Sequence, residues 1–141
     1  MKTAIEGIGE NAHLKRHWLK RVGAAFIDWF ISTGVAWVFM YLMNCVTPFN
    51  TVILTGIIWY AMAVPMEAKL GYTPGKYIFG FHVVSFWELM DLKKSLIRNL
   101  PKLLWFVWLP LDAIIGMVLE GDPRQRLSDH VSRTCVIMRD E

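Results

Sequence analysis

Between Val22 and Ala68 the chain carries no lysine or arginine, and its only acids there are Asp28 and Glu67. All fifteen basic residues lie outside that window, and charged residues make up only 19% of the chain, against roughly 25% in a soluble domain. A water-soluble fold of this length would need far more polar chain to cover such a block. The sequence therefore reads as an all-α integral membrane protein. A net charge of +3 and a pI near 9.0 come from short flanking clusters, which argues against nucleic acid as a partner.

The block divides in two. Trp29 to Val46 is uncharged, and with the turns from Val22 it makes a helix interrupted only by Asp28. Thr47, Pro48 and Asn50 then supply a turn, and Thr51 to Met66 continues without charge. About 20 helical residues cross a ~30 Å hydrocarbon core, so the expectation is a hairpin of spans over about 22–46 and 49–67. Lys15, Arg16, Lys20 and Arg21 precede it and Lys69 and Lys76 follow, which places both flanks in the cytoplasm and the 44–50 turn outside. The result is a multi-pass protein of the cell membrane with its N-terminus cytoplasmic. Residues 1–20 read as an amphipathic cytoplasmic leader rather than a signal peptide, residues 21–138 as the membrane domain, and 139–141 as a tail.

A third apolar segment, 100–119, contains Pro101, Lys102, Pro110 and Asp112. Spanning would put the tail, with Arg124, Arg126, Arg133 and Arg139, outside; a Pro110-broken re-entrant or interfacial helix would keep it cytoplasmic. Tyr77 to Val84 and Thr134 to Met138 are strand candidates. Their pairing at Val83–Val84 would require the tail on the cytoplasmic side and so decides between these topologies. Asp91 is placed to cap a helix from Lys93 to Arg98.

Two cysteines, Cys45 and Cys135, and four scattered histidines form no metal or redox motif. No nucleophile–base pair and no phosphate loop is visible, so neither an enzyme nor a cofactor is expected. The informative feature is on the first span. Arg21 and Asp28 are two turns apart on one helix face, and His17, Ala24 and Ser32 extend the stripe. A carboxylate at that depth costs roughly 2.5–3.5 kcal/mol on insertion scales, and Arg21 can approach it from the boundary. Asp28 then either exchanges a proton or cation, or forms an ion pair that fixes packing.

These residues carry a resemblance. Lys20-Arg21-x6-Asp28, then Gly71-x-Thr73-Pro74-Gly75-Lys76-x3-Gly80-x2-Val83-Val84, then Arg98, then Gln125-Arg126-Leu127-x-Asp129-x4-Thr134-x-Val136 resemble the RDD family of membrane proteins, named for an arginine and two aspartates. Arg21 and Asp28 match the first two; Asp129 fits the second aspartate best, with Asp112 as rival. Ser128 stands where the family often has histidine, and Phe86 to Leu92 replaces its usual glycine-bearing turn. The resemblance implies transport of unspecified ligands, with some members proposed as sodium/proton antiporters. Two function classes follow. One is a small transporter exchanging a monovalent cation for protons through Asp28, with Lys76, Arg98 and Asp129 as a charge cluster closing on it. With so few spans it would need to be a homo-oligomer. The other is an accessory or scaffold subunit, bound to a partner membrane protein, whose Arg and Asp residues hold helices together.

Overall fold

The computed structural model describes residues 4–85, 90–119 and 124–138. The 139–141 tail and residues 86–89, the first part of the 86–92 stretch that replaces the family's glycine-bearing turn, lie outside the described residues. The chain is mostly helical with a small two-stranded sheet. A short α1 (Ala4–Glu10) leads into α2 (Ala12–Leu42), and α3 (Pro48–Lys69) runs back beside it. At ~1.5 Å per residue α2 and α3 are roughly 46 and 33 Å long, and both are long and apolar enough to cross a membrane.

Local chemistry sets the helix ends. The Asn11 side chain accepts from His13 N at the start of α2, and Thr47 Oγ1 accepts from Asn50 N at the start of α3. Pro48 is the first residue of α3 rather than part of the loop, because its missing N–H is one that no first-turn residue needs. The stripe expected on α2 is real: His17, Arg21, Ala24, Asp28 and Ser32 are all buried. Leu14 and Trp18, in the sequence's leader, are buried on the same helix. On α3 the buried line is Thr55, Gly56, Trp59, Ala63, Val64 and Glu67. The outer faces carry Phe30 at 74% exposed, Phe49 at 74% and Trp37 at 54%. Charge lies inside and large apolar side chains outside.

Beyond α3 come α4 (Pro74–Ile78), β1 (Phe81–Ser85) and α5 (Leu92–Asn99). Asp91 caps α5 as expected, accepting from Lys94 N at 2.8 Å. A 3-10 turn, Leu100–Lys102, then leads through turns at 103–107 into α6 (Trp108–Val118), α7 (Leu127–Ser132) and β2 (Thr134–Met138). β1 and β2 pair antiparallel with Val83 opposite Val136 and Val84 opposite Cys135. That is the pairing that keeps residues 124–138 on the side of β1. Ala24, Phe81, Val83, Val136 and Met138 form the apolar core that seats this sheet on α2.

Segment 100–119 therefore folds in and comes back. Its inner end packs on α3 at Gly56, where a Cβ would overlap the Leu103 carbonyl, and Trp105 Nε1 donates to Val52 O at 3.1 Å. Its return ends at Gly116, whose missing side chain admits the Arg126 backbone. The break is at 103–107, not at Pro110: Pro110 sits in the first turn of α6, where backbone N–H groups have no helical partner.

A candidate buried charge site and its chamber

Where the hairpin, α4, α5 and the infolded segment meet, the chain buries an unusual amount of charge. Among the described residues five buried cations (Arg21, Lys76, Arg98, Lys102 and Arg126) surround four buried carboxylates (Asp28, Glu67, Asp112 and Asp129). Such groups persist only when paired and hydrogen-bonded.

Arg21 does not pair with Asp28. It makes an ion pair with Asp129 and donates to the Arg124 carbonyl. Two helical turns separate Arg21 from Asp28 along α2, about 10 Å, whereas α7 presents Asp129 directly to the guanidinium. Asp28 instead holds the turn before α4: Thr73 Oγ1 donates to its Oδ2 at 2.5 Å and Gly75 N to its Oδ1 at 2.8 Å. The Thr-Pro-Gly-Lys motif is thereby explained. Thr73 and Gly75 are donors for Asp28, Pro74 opens α4, and Gly75 lets α4 rest on the α2 backbone, since a Cβ there would overlap the Ala24 carbonyl.

Asp129 is the first-turn acid of α7. Its Oδ2 accepts from Arg126 N at 3.1 Å and its Oδ1 lies 3.2 Å from Arg98 Nη1. Burial would raise its pKa, but Arg21, Arg98 and Arg126 outweigh it and hold the carboxyl well below the ordinary range. Burial likewise opposes the Arg98 charge, yet Asp129 and Glu67 raise its pKa. Asp112, the rival aspartate, belongs to the same site. It accepts from Ser128 N at 2.7 Å and Ser128 Oγ at 2.8 Å, so Ser128 acts as its donor.

The hub that sequence reasoning missed is Glu67. Fully buried, it pairs with Lys76, lies 2.8 Å from Arg98 Nε, accepts from Asn99 Nδ2 at 2.9 Å, and stands 3.8 Å from Lys102 Nζ. The cluster of Lys76, Arg98 and Asp129 exists, but it closes on Glu67 rather than on Asp28. Lys76 is 7% exposed, so its ammonium meets Glu67 and not lipid phosphates. Ser32 is fully buried farther along α2, without a hydrogen-bond partner for its hydroxyl.

At the centre is a small chamber of about 30 Å³ walled by Arg21, Asp28, Lys76, Lys102 and Arg126, with Trp59, Ala25 and Leu109. Lys102 Nζ and Arg126 Nε border it without hydrogen-bond partners. Lys102 also lies 5.5 Å from the Trp59 ring centroid. Among the described residues no group of His, Cys, Asp and Glu is placed to hold a metal ion.

No curated protein and no solved structure matches the chain. The family model that does match covers residues 15–133, from before Arg21 to beyond Asp129. With Arg21, Asp28 and Asp129 gathered at one site, and two helices apolar enough to cross a membrane, the chain belongs to the RDD family.

Proposed function

We propose that this chain is a small membrane-embedded transport protein whose buried chamber binds a small anion. The hairpin of α2 and α3 crosses the bilayer, and 100–119 enters it and returns. Apolar outer faces and a charged interior support this placement, because lipid rewards exposed Phe and Trp and penalises outward charge. The exposed Lys15 and Arg16 and the half-buried Lys20 favour a cytoplasmic N-terminus.

The chamber is the observation that carries the reading. Its volume of about 30 Å³ is enough for one water-sized species. Its wall holds four basic side chains and one acid, and the surrounding cluster has five basic side chains against four carboxylates. A sodium or potassium ion entering there meets like charge; an anion completes the balance. The lining therefore favours an anion over the monovalent cation expected from Asp28 alone. Two spans per chain cannot enclose a full path, so transport calls for a homo-oligomer.

A second reading, an accessory or scaffold subunit, draws on the hydrogen bonds at Asp28 and Glu67, which resemble a network built to hold elements together. Flux separates the two. Purified protein in sealed liposomes is challenged with chloride or nitrate against an internal anion-sensitive dye, and with sodium, potassium or lithium against a pH dye. Wild type is expected to pass anions, and Lys102→Gln, folded by its thermal transition, to pass far less. Cation-driven proton movement without anion flux would return the site to exchange at Asp28. Silence in both assays, with protein folded and inserted, would favour the accessory subunit.

A further inference from the structure

The chamber has an antechamber. A cavity of about 420 Å³ shares Arg21, Ala25, Trp59, Leu109 and Arg126 with it and extends outward between α2 and the infolded segment. Its walls are aromatic: Trp18, Phe26, Trp29, Trp59, Trp105 and Phe106. The volume falls within the about 300–1,000 Å³ of small-molecule sites. Polarity is confined to the inner end, where Arg21 and Arg126 stand.

Three observations identify an occupant. The lip carries Val22 at 56% exposed, Phe26 at 64% and Phe106 at 46%. An apolar rim along the first turns of a membrane span opens toward lipid, not toward water. The inner end offers donors: Trp59 Nε1 is buried without a hydrogen-bond partner, Arg126 Nε makes no hydrogen bond and lies 3.5 Å from Asp112 Oδ2, and both residues line the cavity. The two guanidinium groups set the sign. An aromatic box alone would suit an organic cation, but arginines at its closed end repel one and attract a carboxylate.

We propose that this antechamber binds a single-chain amphiphile with an anionic head, of the fatty-acid class, taken laterally from the bilayer. The head faces Arg126 and Arg21 at the mouth of the chamber and the chain lies among the tryptophans. This proposal rests on the membrane-embedded, anion-binding reading above and adds the ligand's apolar half.

The test uses the full chain in lipid nanodiscs and its intrinsic tryptophan fluorescence, to which Trp18, Trp29, Trp59 and Trp105 of the cavity wall contribute four of seven residues. A doxyl-labelled stearate quenches tryptophans that it touches; its methyl ester and a doxyl-labelled alkyl trimethylammonium are the controls. Saturable quenching by the acid is expected at a concentration at least about tenfold below that for the ester, the ratio corresponding to about 1.4 kcal/mol from a charge-assisted hydrogen bond. Ala113→Phe narrows the antechamber from a position that borders the larger cavity and not the chamber. It should abolish the saturable component while leaving small-anion flux in liposomes intact. Equal quenching by acid and ester, tighter quenching by the ammonium amphiphile, or unchanged quenching in a folded Ala113→Phe protein would each overturn the proposal. Loss of anion flux in wild type would count against the underlying reading instead.

Discussion

Replacing Glu67 with glutamine removes one charge and keeps the shape, so it isolates what the buried carboxylate does. Glu67 faces Lys76, Arg98 and Lys102, all within 4 Å. At an effective dielectric near 20 each such pair is worth about 4 kcal/mol gross, but desolvation of the ions returns most of it. Breaking a buried pair by removing one partner costs about 3–5 kcal/mol net, because the other charge stays behind. In Glu67→Gln five cations would remain against three carboxylates. For a chain near 150 residues roughly 2–4 °C accompanies each kcal/mol, so the transition should fall by roughly 6–20 °C. The assay is thermal unfolding in detergent micelles followed by tryptophan fluorescence. Adding Lys76→Met removes a stranded cation and should recover part of the loss, with a coupling of about 0.5–3 kcal/mol. A single variant within about 2 °C of wild type, less than 1 kcal/mol on that scale, would refute Glu67 as the hub. A double variant no better than the sum of two singles would refute the coupling.

Other expectations follow from the same contacts. Thr73→Val deprives Asp28 Oδ2 of its donor and should cost about 1–3 kcal/mol. Gly75→Ala should cost at least as much, since the new methyl group pushes α4 off the Ala24 carbonyl; thermal transitions of both variants check the order. Asp129 has a folded pKa depressed below its ordinary 3.8, so its stabilisation is present above about pH 4 and is lost as pH falls further. Asp129→Asn should lower stability at neutral pH and flatten its decline below about pH 4; parallel acid limbs would sink that assignment. Cys45 is exposed and Cys135 is buried in β2, so a thiol reagent should label Cys45 alone in the folded protein and both after unfolding.

Much of this architecture is written in local pattern. The uncharged block fixed the hairpin, four-residue spacing fixed the buried face of α2, and β-branched residues at 83–84 and 136–137 marked strands that do pair. Asp91 capped the helix it preceded. The interior wiring was harder to read because its partners are remote in sequence. Arg21 and Asp28 share a face, which invited an ion pair between them, yet the Arg21 acid is 108 positions away. Glu67 looked like a charge ending a span. A signal was available, since Gly56, Ala63 and Glu67 repeat on α3 the small-and-charged stripe of α2. Lys102 and Pro110 read as flaws in a third span. Lys102 instead points a charge at Glu67, and Pro110 occupies a helix's first turn, where proline costs no hydrogen bond.

The claim on which both the chamber and the antechamber depend is that segment 100–119 enters the membrane and leaves by the same face. Leu92, at 56% exposed, stands just before that segment and Val131, at 64% exposed, just after it. Leu92→Cys and Val131→Cys, each in a Cys45→Ala background, would be treated with a membrane-impermeant thiol reagent in sealed right-side-out and inside-out vesicles, with native Cys45 as reference. The account predicts that both new cysteines label from one face and Cys45 from the other. Labelling of Leu92→Cys and Val131→Cys from opposite faces would make 100–119 a third span and contradict it.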